Sequence, residues 1–126
     1  MDYTNVQTVA IIGAGVAGLS TARSLTARGL QCTLFERNKK LGGVWSDGYL
    51  NFGVQVQKEL YEFPDWPLPE GTEDFTKGPV VQAYLEDFAR RFGIFDAIRF
   101  GVEVERVSQT GEIWDCLLYT SDAADD

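Results

Sequence analysis

The 126 residues contain no histidine. That removes the commonest general base and metal ligand among side chains. Only two cysteines occur, Cys32 and Cys116, and they offer no metal-binding or redox spacing. Cys32 opens an apolar run and is read as a small core residue. No run of 18 apolar residues is present, so nothing in the sequence spans a membrane. The first seven residues are polar and short, without a positive n-region or a long apolar h-region. They predict no secretory signal and a cytoplasmic setting by default. Proline is scarce, and all but one of the four lie between Tyr61 and Gly78. No internal repeat or low-complexity segment appears. Length and an apolar content of 44% allow one small soluble domain with a core of its own.

The chain is organised around Thr8 to Trp45. Thr8-Val9-Ala10-Ile11-Ile12 is a short, largely β-branched run that predicts a strand. Gly13-Ala14-Gly15-Val16-Ala17-Gly18 follows at once, and helix formers run from Val16 to Arg28. Gly29 stands where a glycine would end that helix. Cys32-Thr33-Leu34-Phe35-Glu36 predicts a second strand with a carboxylate as its last residue. A strand before GxGxxG, a helix after it and an acid about 20 residues further on form the dinucleotide-binding context. Gly13 permits the tight turn. Gly15 has no Cβ to hold a pyrophosphate away from the backbone. Gly18 lets the helix approach the strand, and Ala22 keeps that face thin. Phosphates would meet free N–H groups at a helix N-terminus, where the dipole favours negative charge. Glu36 would accept hydrogen bonds from the adenosine ribose and repel a 2′-phosphate, so this site should hold FAD or NAD rather than NADP.

A second glycine turn narrows the choice. Glu36-Arg37, then Asn38-Lys39-Lys40-Leu41, then Gly42-Gly43-Val44-Trp45 resembles the FAD-binding segment of flavin-containing monooxygenases and the related Baeyer–Villiger monooxygenases. The resemblance continues through Lys58-Glu59-Leu60-Tyr61-Glu62-Phe63-Pro64-Asp65-Trp66-Pro67-Leu68-Pro69 and the Tyr84-Leu85 to Phe88-Ala89 stretch. It then takes in Ile98-Arg99-Phe100 and Val104-Glu105-Arg106-Val107, and it ends at Gly111-Glu112-Ile113-Trp114-Asp115. It implies an α/β fold: a Rossmann-like FAD-binding domain of the glutathione-reductase type, incomplete here. A parallel sheet flanked by helices would lead into the start of a β-meander. It assigns Gly13, Ala14, Gly15, Val16 and Ala17 to the pyrophosphate, beside Gly18. Glu36, followed by Arg37, goes to the ribose, and Val44 and Trp45 to further FAD contacts. The N–H groups of Gly43 to Trp45 would add donors for the cofactor. In the family an Asn beside the flavin precedes a small residue and Lys-Glu. The aligned residue here is Gln55, in Gln55-Val56-Gln57-Lys58-Glu59. It keeps the amide donor and acceptor and adds a methylene. Gln55 is thus a candidate flavin neighbour, with an outward-facing strand residue as the alternative.

The remaining segments read more coarsely. Ser46 to Phe52 predicts loop, and Val54 to Gln57 a short strand or extended piece. Tyr61 to Gly78 predicts an irregular surface excursion pinned by Tyr61, Phe63, Trp66 and Phe75. Pro79 suits a first helical turn. Val80, Val81, Tyr84, Leu85, Phe88, Ala89 and Phe92 form an apolar helical stripe, with Glu86, Asp87, Arg90 and Arg91 on the other face. Gly93 ends that helix. Ile98 to Phe100 predicts a strand, and Val102 to Val107 with the Thr110-Gly111 turn predicts the start of a hairpin.

Cys116 to Asp126 matches none of this. The segment resembles a translated transposase-type sequencing adapter at all eleven positions. Residues 1–115 are therefore expected to be the partial domain and residues 116–126 an adapter-derived tail, excluded from fold reasoning. Without Asp115 and that tail, 15 acids face 11 bases, so the formal charge of −8 becomes mild.

The resemblance implies NADPH as reductant and O2 as co-substrate. A flavin hydroperoxide would pass one oxygen to a nitrogen or sulfur nucleophile or a ketone. The Phe-x-Gly-x-x-x-His stretch and the second GxGxxG of the family would lie beyond Trp114, so the NADPH site is expected outside this chain, which should be inactive alone. No residue is assigned a catalytic role, no metal is expected, and partners are a small-molecule substrate and O2, without nucleic acid. Two other readings remain open: an FAD amine oxidase or desaturase relative, and an inactive dinucleotide-binding fragment.

Overall fold

The fold, a computed structural model, describes residues 6–46, 52–54 and 57–120. β1 (Thr8–Ile12) and β2 (Gln31–Glu36) pair in parallel, Val9 opposite Cys32 and Ile11 opposite Leu34. Parallel neighbours need a crossover, and α1 (Val16–Thr26) supplies it. The helix ends two residues before Arg28. Gly29 turns the chain at φ +85°, and the Leu30 N–H reaches back to the Leu25 carbonyl at 3.1 Å. That is the chain reversal for which glycine is the favoured residue. β3 (Ile98–Phe100) joins the far side of β2, also in parallel, so β2 is the central strand of three.

Strand alternation decides what is buried. Ile11, Cys32, Leu34 and Ile98 enter one core with Leu19 and Ala22 of α1, while Thr8, Ala10 and Ile12 are exposed. α2 (Gly78–Arg91) completes that core through Val81, Tyr84, Leu85, Phe88 and Ala89. It carries a proline in its first turn and stops before Gly93, whose φ is +71°. One residue of the expected stripe departs from it. Val80 lies 43% exposed: the buried face of α2 runs Val81, Tyr84, Leu85, Phe88 and Ala89, and Val80 stands one residue off it, at the edge of the stripe.

Between β2 and α2 the described residues are irregular apart from short 3-10 turns at Gly43–Trp45 and Lys58–Tyr61. The expected extended segment begins as a bridge of Gly53 to Lys77, with the Val54 N–H on the Thr76 carbonyl at 2.9 Å. Residues 47–51, in the expected loop, and 55–56 lie outside the described residues. The proline-rich excursion is held by aromatics. Phe63 stacks on Phe88 at 3.8 Å and on Tyr84 at 5.8 Å. The Tyr84 hydroxyl accepts the Phe63 N–H at 2.9 Å and donates to the Trp66 carbonyl. Arg23 of α1 lies over the Phe92 ring and pairs with Asp65 at 2.9 Å. Phe75, expected to be another pin, is 60% exposed; the hydrophobic packing here falls to Tyr61, Phe63, Trp66 and Leu68.

β4 (Val102–Thr110) and β5 (Ile113–Thr120) form an antiparallel hairpin, with a register shift between Val104 and Arg106. β5 runs through Cys116–Thr120, which the sequence reading excluded from the fold. Backbone pairing makes few demands on side-chain identity. Most side chains on β5, including Ile113, Trp114, Leu117 and Tyr119, remain exposed. No helix among the described residues is long and apolar enough to cross a membrane.

Burial pushes the Tyr84 phenol above its ordinary value of 10.0; Glu62 and Asp65 nearby push the same way, and the Phe63 N–H opposes them. A group whose folded value is raised holds more protons when folded. Its stabilisation is whole below pH 10.0 and is lost as pH rises through the folded value. Tyr84→Phe should cost about 1–3 kcal/mol, since it strands the Phe63 N–H and the Trp66 carbonyl. Its denaturation midpoint should also fall less than that of the wild type when pH is taken above 10.0. Parallel denaturant titrations at neutral and alkaline pH measure both effects.

Candidate functional site

The site is built where the two glycine turns meet at the carboxyl ends of β1 and β2. Gly13 takes φ +98°, a conformation that side chains disfavour, and its N–H donates to the Phe35 carbonyl at 2.8 Å, prolonging the β1–β2 ladder. The chain then enters α1 at Gly15, in extended backbone, with no side chain capping the helix and no acid in its first turn. The opening N–H groups of a helix have no intrahelical partner, and Gly15 at the N-cap has no side chain to cap them. Open space lies over Gly13, where an added Cβ would meet nothing within 4 Å. Uncapped donors, a positive dipole end and room above the turn fit a pyrophosphate.

Gly18 does what the sequence suggests. A Cβ there would overlap the Gly13 carbonyl oxygen and sit 3.5 Å from Ile11 Cγ2. α1 therefore crosses β1 at glycine contact distance, and the fully buried Ala22 continues the thin face. Gly15 has a neighbour that spacing could not reveal. Its Cβ vector points at Gly43, with the Gly43 Cα 3.6 Å away. The Gly42 N–H donates to the Ala14 carbonyl at 2.9 Å, so the second turn is hydrogen-bonded to the first. Val16 is half-buried and Ala17 exposed at the mouth of the helix.

Glu36 is a buried carboxylate, 5% exposed. Buried charge needs hydrogen-bond partners, and it has two. Oε1 accepts the Ala14 N–H at 3.0 Å and Oε2 accepts the Asn38 N–H at 2.8 Å. The Ala14 N–H, expected to face the pyrophosphate, is therefore engaged with Glu36. Each carboxylate oxygen retains a further lone pair for a ribose hydroxyl. Arg37 is exposed beside it.

In the second turn Gly42 and Gly43 have φ of +113° and +60°. The Trp45 N–H donates to the Gly42 carbonyl at 3.2 Å, which narrows the expected cofactor donors to Gly43 and Val44. Val44 is 81% exposed. The Trp45 indole N–H donates to the Tyr61 hydroxyl at 2.7 Å, and its ring stacks on Phe52 at 5.4 Å. A cleft of about 310 Å³ opens beside it, lined by Trp45, Ser46, Phe52, Pro79, Gln82 and Glu86. Gln55 lies outside the described residues. Sequence reasoning missed Asn38, which acts through its backbone, and Gln82, whose Nε2 donates to the Leu41 carbonyl at 2.7 Å. The available signal for Gln82 was a polar residue directly beside the apolar stripe of α2.

A family profile described as flavin-binding monooxygenase-like matches residues 6–116. A flavin-containing monooxygenase of Aspergillus flavus is 34% identical over 116 residues, covering 90% of this chain and 29% of its own length. The solved S-allyl-L-cysteine S-oxygenase of Allium sativum superposes with a TM-score of 0.84 at 31% identity, over 91% of this chain and 32% of that one. An oxidised steroid monooxygenase bound to NADP superposes with a TM-score of 0.79 at 27% identity, over 89% of this chain and 23% of that one. The chain thus spans about a third or less of the length of these relatives.

The two inner glycines separate cleanly by substitution. Gly18→Ala should destabilise the chain by about 2 kcal/mol or more, because its Cβ meets a backbone carbonyl that cannot rotate away. Gly15→Ala should leave the unliganded fold within about 1 kcal/mol of wild type, since its backbone is extended and its Cβ finds ordinary contact. Equilibrium unfolding of the two variants gives the comparison; equal losses would contradict it.

Proposed function

The chain belongs to the flavin-binding monooxygenase-like family, and on that premise we propose that it forms the FAD-binding part of an FAD-dependent, NADPH-using monooxygenase. The observation that carries the proposal is the joint site: an uncapped helix start over a left-handed glycine, tied to a second glycine turn and flanked by a buried carboxylate. When bound, FAD would supply the redox and oxygen chemistry, and the protein the binding, orientation and exclusion of water.

The residues divide that work. The N–H groups of Val16 and Ala17 would hold the pyrophosphate at the start of α1, with Gly13 and Gly15 keeping the approach clear. Glu36, oriented by the Ala14 and Asn38 N–H groups, would accept the ribose hydroxyls. Arg37 lies at the exposed edge of that subsite. The Gly43 and Val44 N–H groups would face the cofactor, with Trp45 held in place by Tyr61 and Phe52. Gln55 is proposed as a flavin neighbour on the resemblance alone. A carboxylate at Glu36 disfavours a 2′-phosphate, so NADPH would be held elsewhere, in the part of the relatives' length that this chain does not span. The substrate class proposed is a soft sulfur or nitrogen nucleophile, or a ketone, with O2. Similarity to an S-oxygenase and to a steroid monooxygenase supports that range.

We also propose that residues 116–126 stand outside the family sequence. The profile match takes in Cys116 and goes no further, which supports this for residues 117–126. Sequencing the gene across the Trp114 codon tests it.

Titrating the chain with FAD and following flavin fluorescence tests the binding role. FAD should bind, with NADP binding far more weakly; equal affinity for the two would overturn the role of Glu36. Glu36→Ala should weaken FAD by about 1–3 kcal/mol, the scale of lost charge-assisted hydrogen bonds. Gly15→Ala should weaken FAD while sparing the unliganded fold. Unchanged FAD affinity in Gly15→Ala would remove the pyrophosphate from this turn.

A further inference from the structure

Gln82 stands on α2, one helical turn before Glu86. Its Nε2 donates to the Leu41 carbonyl at 2.7 Å and lies 3.2 Å from Glu86 Oε1. Its Oε1 is buried with no hydrogen-bond partner among the described residues. A buried acceptor left unpaired is unfavourable, and an apolar residue of similar length would avoid it. What glutamine adds here is the donor on Leu41. The amide also fills the space where a Cβ on Gly42 would sit, with Cδ 2.9 Å from that position. The φ of +113° holds Gly42 to glycine, and any larger residue there would also have to push the Gln82 amide aside.

The contacts run onward from there. The Gly42 N–H donates to the Ala14 carbonyl at 2.9 Å, and a Cβ on Gly43 would lie 3.3 Å from the Gly15 Cα. Leu41, 1% exposed, fixes the start of the turn in the core. A single side chain on α2 thus holds the second glycine turn, which the Gly42 N–H ties to the first.

We propose that Gln82 is a positioning residue for the dinucleotide site: by holding Leu41 and Gly42, it sets the separation of the two glycine turns and so the affinity for FAD. This rests on the cofactor reading above, and it has a readout that needs no cofactor. In Gln82→Met the amide exchange of Gly42 should speed up about tenfold, the scale of one lost hydrogen bond. The global unfolding midpoint should hold, and FAD affinity should fall by a similar factor.

In Gln82→Glu a carboxylate would face the Leu41 carbonyl and Glu86, and affinity should fall further. A neighbouring like charge raises the introduced group's pKa above the usual value of about 4.3. On acidification the neutral carboxyl regains an O–H donor, so affinity relative to wild type at the same pH should recover. A role in packing alone predicts no recovery.

Unchanged Gly42 exchange in Gln82→Met would overturn the proposal. So would a loss of FAD affinity without faster exchange, or faster exchange without a loss of affinity. If wild-type chain fails to bind FAD, the cofactor reading fails, and Gly42 exchange still decides whether Gln82 holds the turn.

Discussion

A carboxylate withdrawn from water at the end of β2 sets the terms for this end of the molecule. Glu36 can remain buried because two backbone N–H groups point at it, one from Ala14 in the first glycine turn and one from Asn38 just beyond β2. The Ala14 bond crosses from β2 to the loop after β1, so strand order, turn conformation and charge are satisfied together. The parallel pairing of β1 with β2 brings the two ends level, Ile12 beside Phe35. The turn after β1 then passes over β2, where the Gly13 N–H meets the Phe35 carbonyl and the Ala14 N–H meets the acid.

The same end of the fold relies on elements far away in sequence. α2 anchors the proline-rich excursion through Phe88 and Tyr84, and it steadies the second glycine turn through Gln82. The excursion in turn supplies Tyr61 to the Trp45 indole. A candidate dinucleotide site that looks local to the first 45 residues is therefore braced by residues 61 to 88. Those braces are hydrogen bonds between side chain and backbone, or between two aromatic tips, which fix orientation better than apolar contact does.

The parts of the fold legible in the sequence are those whose signal is local. β1, α1 and β2 emerge from a β-branched run, a glycine spacing and a terminal acid that all refer to neighbours within one βαβ unit. α2 emerges from its 3.6-residue stripe. Val80 misleads because periodicity gives the direction of a face but not its width, and the face that is buried here begins at Val81. The partner of Gly15 was hidden because Gly43 lies 28 residues on, across the whole of β2 and its following loop. Gln82 was hidden for the same reason, its contact being a backbone carbonyl 41 residues earlier. β5 continues through Cys116 to Thr120 because strand pairing is made by the backbone and asks little of side-chain identity.

The contact between Gly15 and Gly43 couples what each position can hold. A methyl on Gly15 alone meets Gly43 at an ordinary distance, and one on Gly43 alone meets Gly15 at a tight one. Methyl groups on both would compete for the same space, so the two substitutions cannot be independent in their effect. Sequence drift at one site is thus constrained by the state of the other. A side chain at either position narrows the room left for one at the other.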